Sequence, residues 1–116
     1  MAELKKEILH LIEDELSLQG KVFISVAPEQ IAAPYVVITE ASSDPLETVA
    51  GSLPYGTLDI NIFHPEIPVC EQLYERVKNL LNKCDIGDVR CYYTSDKIDF
   101  YPDYELYNKV LTIKFL

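Results

Sequence analysis

A chain of 116 residues, 48% apolar and 25% charged, has the composition of one globular domain rather than of a disordered segment. It is large enough to bury a core without disulfide or metal staples. The net charge of −9, with only two arginines (Arg76 and Arg90) and eight scattered lysines, argues against a nucleic-acid clamp or a face for anionic membrane. Both need clustered positive charge. No apolar run approaches the ~20 residues of a membrane span, and the start, MAELKKEILHLIEDEL, spaces its apolar residues among acids as a helix does and a signal peptide does not.

The first predicted element is a helix over Ala2–Leu18. Leu4, Ile8, Leu11, Ile12 and Leu16 form one stripe of a 3.6-residue period, and Gly20 supplies the stop. A strand over Val22–Val26 follows, with Val22, Ile24 and Val26 on one face. Pro28 and Pro34 bracket the next loop. A second strand, Tyr35–Ala41, carries Val36, Val37 and Ile38 in succession, as a strand covered on both faces does. The polar stretch Ser42–Gly56 is too long for a tight hairpin. Its Leu46, Val49, Leu53 and Tyr55 have no periodic partner. Such residues either order on a neighbouring subunit or belong to a plain surface loop.

A third strand is predicted over Thr57–Phe63, where Leu58, Ile60 and Ile62 alternate with Asp59 and Asn61, the pattern of a sheet wet on one side. Pro65 and Pro68 end it, and Pro68 suits a first helical turn. The second helix runs over Pro68–Lys83, with Val69, Leu73, Val77, Leu80, Leu81 and Cys84 as its stripe. Asp85–Asp88 reads as a turn, Val89–Ser95 as a fourth strand, Asp96–Leu106 as a hairpin-like tip and Tyr107–Phe115 as a fifth strand. The order α-β-β-β-α-β-β implies a single α+β domain over residues 1–116. It would have two layers, with both helices on one face of a mixed, mostly antiparallel sheet.

Catalytic chemistry is sparse. Asp96, Asp99, Asp103 and Glu105 cluster at the tip and could attract a hard cation, but they lack the spacing and glycine of an EF-hand loop. His64 could act as a base only with a nucleophile and an orienting acid that spacing does not supply. No G-x-S-x-G, P-loop or H-E-x-x-H occurs. Cys70, Cys84 and Cys91 include no C-x-x-C. Cys70 and Cys84, fourteen residues apart on one predicted helix, stand about 21 Å apart along its axis and cannot pair. An odd thiol count fits a reducing compartment and buried core thiols. The expectation is a protein without enzymatic activity, cofactor or metal. The competing expectation is a small intracellular binding module or adaptor, or a metal- or ligand-dependent enzyme using the 96–105 tip and His64.

Eight tyrosines are the other unusual usage. Tyr92 lies in the fourth strand, and Tyr101 and Tyr104 lie at the tip. Tyrosine is favoured at protein interfaces because it buries area and keeps a polar end, and it also lines ordinary half-exposed sheets. Tyr92, Tyr101 and Tyr104, with Leu46, Val49, Leu53 and Tyr55, are the candidate contact residues.

The N-terminal helix, the Val22–Pro28 strand and loop, and the strand start Ala33-Pro34-Tyr35-Val36-Val37-Ile38 resemble tail-completion proteins of long-tailed bacteriophages, the tail terminators, head–tail joining proteins and minor tail proteins. The strand Leu58-Asp59-Ile60-Asn61-Ile62-Phe63, the second helix and the closing strands extend the resemblance over nearly the whole chain. The resemblance implies a structural protein of the virion tail or neck, assembled in the bacterial host cytoplasm. It would form a hexameric ring that caps the tail tube, contacts the tube protein and presents a surface to the head connector. Six copies at −9 each carry −54. Where that charge lines a channel it would repel phosphate and let DNA pass without sticking. Neutralising such acids would then slow DNA ejection.

Overall fold

The computed structural model describes residues 2–28, 31–40, 56–87 and 89–115. Helix α1 spans Ala2–Leu16 and helix α2 spans Ile67–Leu81. The strands are β1 (Val22–Ile24), β2 (Tyr35–Glu40), β3 (Gly56–His64), β4 (Asp85–Ile86), β5 (Val89–Tyr101) and β6 (Leu106–Phe115). They form one mixed six-stranded sheet in the order β1-β2-β3-β6-β5-β4. The β1–β2 pair is parallel and the other neighbours are antiparallel. The fold is therefore α+β with two helices and a mixed sheet, as the residue pattern implied.

The period-two alternation of the strands and the 3.6-residue stripes of the helices meet in one cluster. Ile8, Ile12 and Leu16 of α1 and Leu73, Val77 and Leu81 of α2 are buried with Val36, Ile38, Leu58, Ile60, Ile62, Leu111, Ile113 and Phe115 of the sheet. The alternate residues point to the opposite face. Val37 is buried there as well, in keeping with the double covering expected of Val36-Val37-Ile38.

Several boundaries differ from those the residue pattern implied; the second helix, for one, ends at Leu81, so Cys84 lies beyond it. Helix α1 ends at Leu16 rather than Leu18, and Gly20 is not its stop. Ser17 takes the left-handed conformation (φ 54), and the Leu18 N–H donates to the Glu13 carbonyl at 2.9 Å. This is a Schellman-type end in which a serine does what glycine usually does. Gly20 (φ 75) serves the next turn, closed by the Lys21 N–H on the Leu18 carbonyl at 2.9 Å. Strand β1 stops at Ile24 because Ser25 turns to φ 72, leaving Val26 exposed outside the strand.

The largest difference is at the predicted tip. Asp96–Tyr101 is strand, and only Pro102–Glu105 turns the chain back. The alternation Asp96/Ile98/Phe100 against Lys97/Asp99/Tyr101 carries this strand, but its charges gave it the look of a loop. The segment Asp85–Asp88, read as a turn, contains β4, which pairs Asp85 with Arg90 and Ile86 with Val89. Gly87 at φ 60 makes the reversal, and the Arg90 guanidinium grips Asp85 with two hydrogen bonds of 2.6 and 3.0 Å.

Candidate assembly surface

The β5–β6 hairpin runs past the end of the helical cover. Its far half carries Ile98, Phe100, Tyr101 and Tyr104, exposed by 41, 48, 41 and 76%. Two groups of side chains, one on each face of the sheet, hold this extension to the domain.

On the helix side, Asp96 is the anchor. Tyr93 and Tyr74 donate their hydroxyls to its Oδ2 at 2.6 and 2.7 Å. Lys109 of β6 reaches its Oδ1 at 3.4 Å and Glu71 of α2 at 3.1 Å. The Lys109 ammonium also lies 4.7 Å from the Tyr74 ring centroid, a cation–π contact. The Tyr93 and Tyr74 hydroxyls, aided by Lys109, hold the Asp96 carboxyl down at about 2. Burial pushes the Tyr74 phenol up, and its bonds to Tyr93 and Asp96 push it further. Burial alone would lower Lys109, but the Glu71 and Asp96 carboxylates overcome it and leave the ammonium favoured. Asp96 thus fastens the hairpin to α2 and does not join the other tip acids. Asp99 sits on the opposite face, 3.8 Å from Lys97. Among the described residues, no three His, Cys, Asp or Glu side chains come together as a metal-binding group.

On the other face, Tyr35, Phe63 and Tyr101 stack across three strands. Centroid spacings are 4.8 Å for Tyr35–Phe63 and 6.2 Å for Phe63–Tyr101. They wall an open groove of about 340 Å³ together with Val26, Asn61 and Asn108. Asn61 Nδ2 donates to the Val37 carbonyl (3.0 Å) and Thr39 Oγ1 (3.1 Å), so its Oδ1 must be the acceptor for Asn108 Nδ2 at 3.3 Å. That bond sets the orientation of the Asn108 amide, whose Oδ1 is buried without a hydrogen-bond partner among the described residues.

The candidate contact residues divide accordingly. Tyr101 and Tyr104 lie together at the hairpin end. Tyr92 sits opposite Lys114 on the same sheet face as Tyr101, but nine residues away, about 30 Å along an extended strand, so it belongs to a different surface. Leu46, Val49, Leu53 and Tyr55 lie outside the described residues. Tyr35 and Phe63, which join Tyr101 in the stack, and Phe100, which packs on Tyr107 on the opposite face, were not among the candidate contact residues. Their signal was the outer-face parity of Tyr35 and Phe63 and the alternation along β5.

His64 is engaged in folding. Its Nδ1 accepts the Glu66 N–H at 3.0 Å beside the start of α2, where Glu66 provides no side-chain cap of its own. Cys70 and Cys91 are fully buried and all three thiols are free. Burial pushes Cys91 up to about 12 and raises Cys70. Thiolate is the reactive form, so a water-soluble disulfide reagent at pH 8 should label half-buried Cys84 well before the other two. Equal rates for all three thiols would contradict this core.

The class defined by this geometry is an α+β domain in which, among the described residues, most of the exposed large hydrophobic side chains lie on a projecting hairpin. Among the described residues, no helix is long and apolar enough to cross a membrane. No family model matches the chain, and no curated protein matches it in sequence. Its fold is similar to that of a solved chain from the virion of the native gene transfer agent (GTA) particle. The TM-score is 0.66 at 13% identity, covering 96% of this chain and 89% of that one. At that identity the likeness is one of fold.

Proposed function

We propose that this chain is a structural protein of a phage or phage-derived particle, a two-layer α+β domain without catalytic activity. It assembles as a hexameric ring at the head-proximal end of a tail tube and joins the tube to the head connector. The observation that carries this reading is the fold likeness to a virion component over almost the full length of both chains. The resemblance of the Val22–Ile38 and Leu58–Phe63 segments to tail-completion proteins supports the same reading from the residues. Among the described residues, the concentration of exposed aromatic side chains on one projection suits a protein that works by contact.

A closed ring needs head-to-tail contacts between two different surfaces of the chain. The hairpin end with Tyr101 and Tyr104, and the segment containing Leu46, Val49, Leu53 and Tyr55, are the contact surfaces of this reading. Deleting residues Asp44–Leu53 should leave the thermal unfolding transition in place and abolish ring formation, as read by light scattering. Rings that persist in the deletion variant would remove that segment from the interface. Tyr104→Ala, at the most exposed aromatic among the described residues, should weaken assembly at least tenfold with unchanged unfolding, the behaviour of an interface anchor.

A further inference from the structure

The outer edge of β5 is finished differently along its length. Near its start, the outer edge of β5 is capped by the chain leaving α2. The Cys91 N–H donates to the Cys84 carbonyl (2.8 Å), its carbonyl accepts the Lys83 N–H (2.7 Å), and the Tyr93 N–H donates to Asn82 Oδ1 (3.1 Å). These bonds identify the residues whose backbone turns away from β6. A bulge then shifts the register between Tyr93 and Ser95. Carried past it, the antiparallel alternation assigns the outward backbone groups to Asp96, Ile98 and Phe100. Among the described residues nothing pairs with them. An open, partly apolar strand edge is a template for another strand, and most native sheets blunt it.

We propose that this edge is a self-pairing strand whose occupant is the same edge of a second copy, antiparallel and centred on Ile98. Charge complementarity selects the occupant and the register. In this register Ile98 faces its own copy and Asp96 faces Phe100, so all three outward residues of each chain find backbone partners. Lys97 of each copy then stands opposite Asp99 of the other, on the face where the two already lie within 3.8 Å in one chain. On the other face Ile98, exposed by 41%, covers its counterpart, and Phe100, exposed by 48%, flanks the Ile98 pair diagonally while facing Asp96. A centre at Lys97 or Asp99 would put like charges opposite each other and turn the wrong backbone groups inward. A centre at Phe100 would set Ile98 against Pro102, which has no N–H. The pairing is two-fold, so it is a different contact from the head-to-tail contact of a ring and does not rest on it.

The test is a charge exchange read by cross-linking in the full chain. Ile98→Cys places two thiols at an antiparallel hydrogen-bonded pair, about 5.5 Å between Cα atoms, within disulfide range. Mild oxidation should give a covalent pair of chains that the unsubstituted protein does not give. Adding Lys97→Glu should lower pairing about tenfold, because both cross-strand charge pairs become repulsive. Adding Asp99→Lys instead should do the same. Mixing the two variants should restore cross-linking, since each supplies the charge the other lacks. All three residues are surface positions on the hairpin, and matching unfolding curves would confirm intact folds. No cross-link with Ile98→Cys, or yields indifferent to the charge changes, would overturn the pairing and leave Lys97 and Asp99 as guards of the edge. Rings that form whatever the charges would leave the ring reading standing while this one falls.

Discussion

Ile60→Ala should lower the unfolding free energy by about 3–4 kcal/mol and the midpoint of thermal unfolding by about 12–16 °C. Ile60 is at the centre of β3, between Ile38 of β2 and Leu111 of β6. It is fully buried in the cluster formed with both helices. Rigid strands on both sides and two helices above leave little room to collapse onto the vacated volume, so the variant loses both transfer energy and packing contacts. Ile98→Ala is the control. Ile98 has the same side chain on the same face of the sheet, but lies beyond the helices and is 41% exposed. Its loss should cost under about 1 kcal/mol. Chemical denaturation of both variants checks the pair, and equal costs would mean that the helical cover is misplaced.

Asp96→Ala is expected to cost about 2 kcal/mol. It deprives the Tyr74 and Tyr93 hydroxyls of their acceptor and leaves the Lys109 ammonium, largely buried, with Glu71 alone. Stranding such groups costs roughly 1–3 kcal/mol, and the value is held down because the carboxylate is about one-third exposed to water. Lys109→Met should be milder, since the two carboxylates it leaves can hydrate.

The same site predicts a pH dependence. Asp96 sits at about 2 in the folded chain, below the roughly 3.9 of an unfolded aspartate. The folded state favours the ionised carboxylate, so this contribution is complete above about pH 4 and is lost as pH falls through about 2. Glu40, lowered by its hydrogen bond from Lys5, and Asp85, lowered by Arg90, act in the same direction. Asp96→Asn should therefore flatten part of the acid limb of a stability–pH curve and not all of it. An acid limb unchanged by the substitution would show that Asp96 titrates normally.

Much of the fold was legible because burial imposes simple periods. Leu58, Ile60 and Ile62 alternate because one face of β3 meets the helices, and Ile8, Ile12 and Leu16 repeat as helical neighbours for the same reason. Positions chosen by tertiary contacts were harder to read. Ser17 ends α1 because Leu18 can fold back to Glu13 and into the core, so the more obvious Gly20 misled. Asp96 looked like a loop acid because its partners, Tyr74 and Lys109, are 22 and 13 residues away in sequence. That same misreading hid the strand Asp96–Tyr101 and, with it, the open edge. The aromatic stack needed the β2–β3–β6–β5 order, which places Tyr35, Phe63 and Tyr101 on one face and which no local pattern specifies.

The most direct test of the ring reading is the mass and shape of the purified full chain. Light scattering from micromolar to several hundred micromolar would be paired with electron microscopy of the heaviest fraction. The account predicts six-fold rings built from the 13.2 kDa chain. A population that stays at one or two chains throughout that range would contradict it.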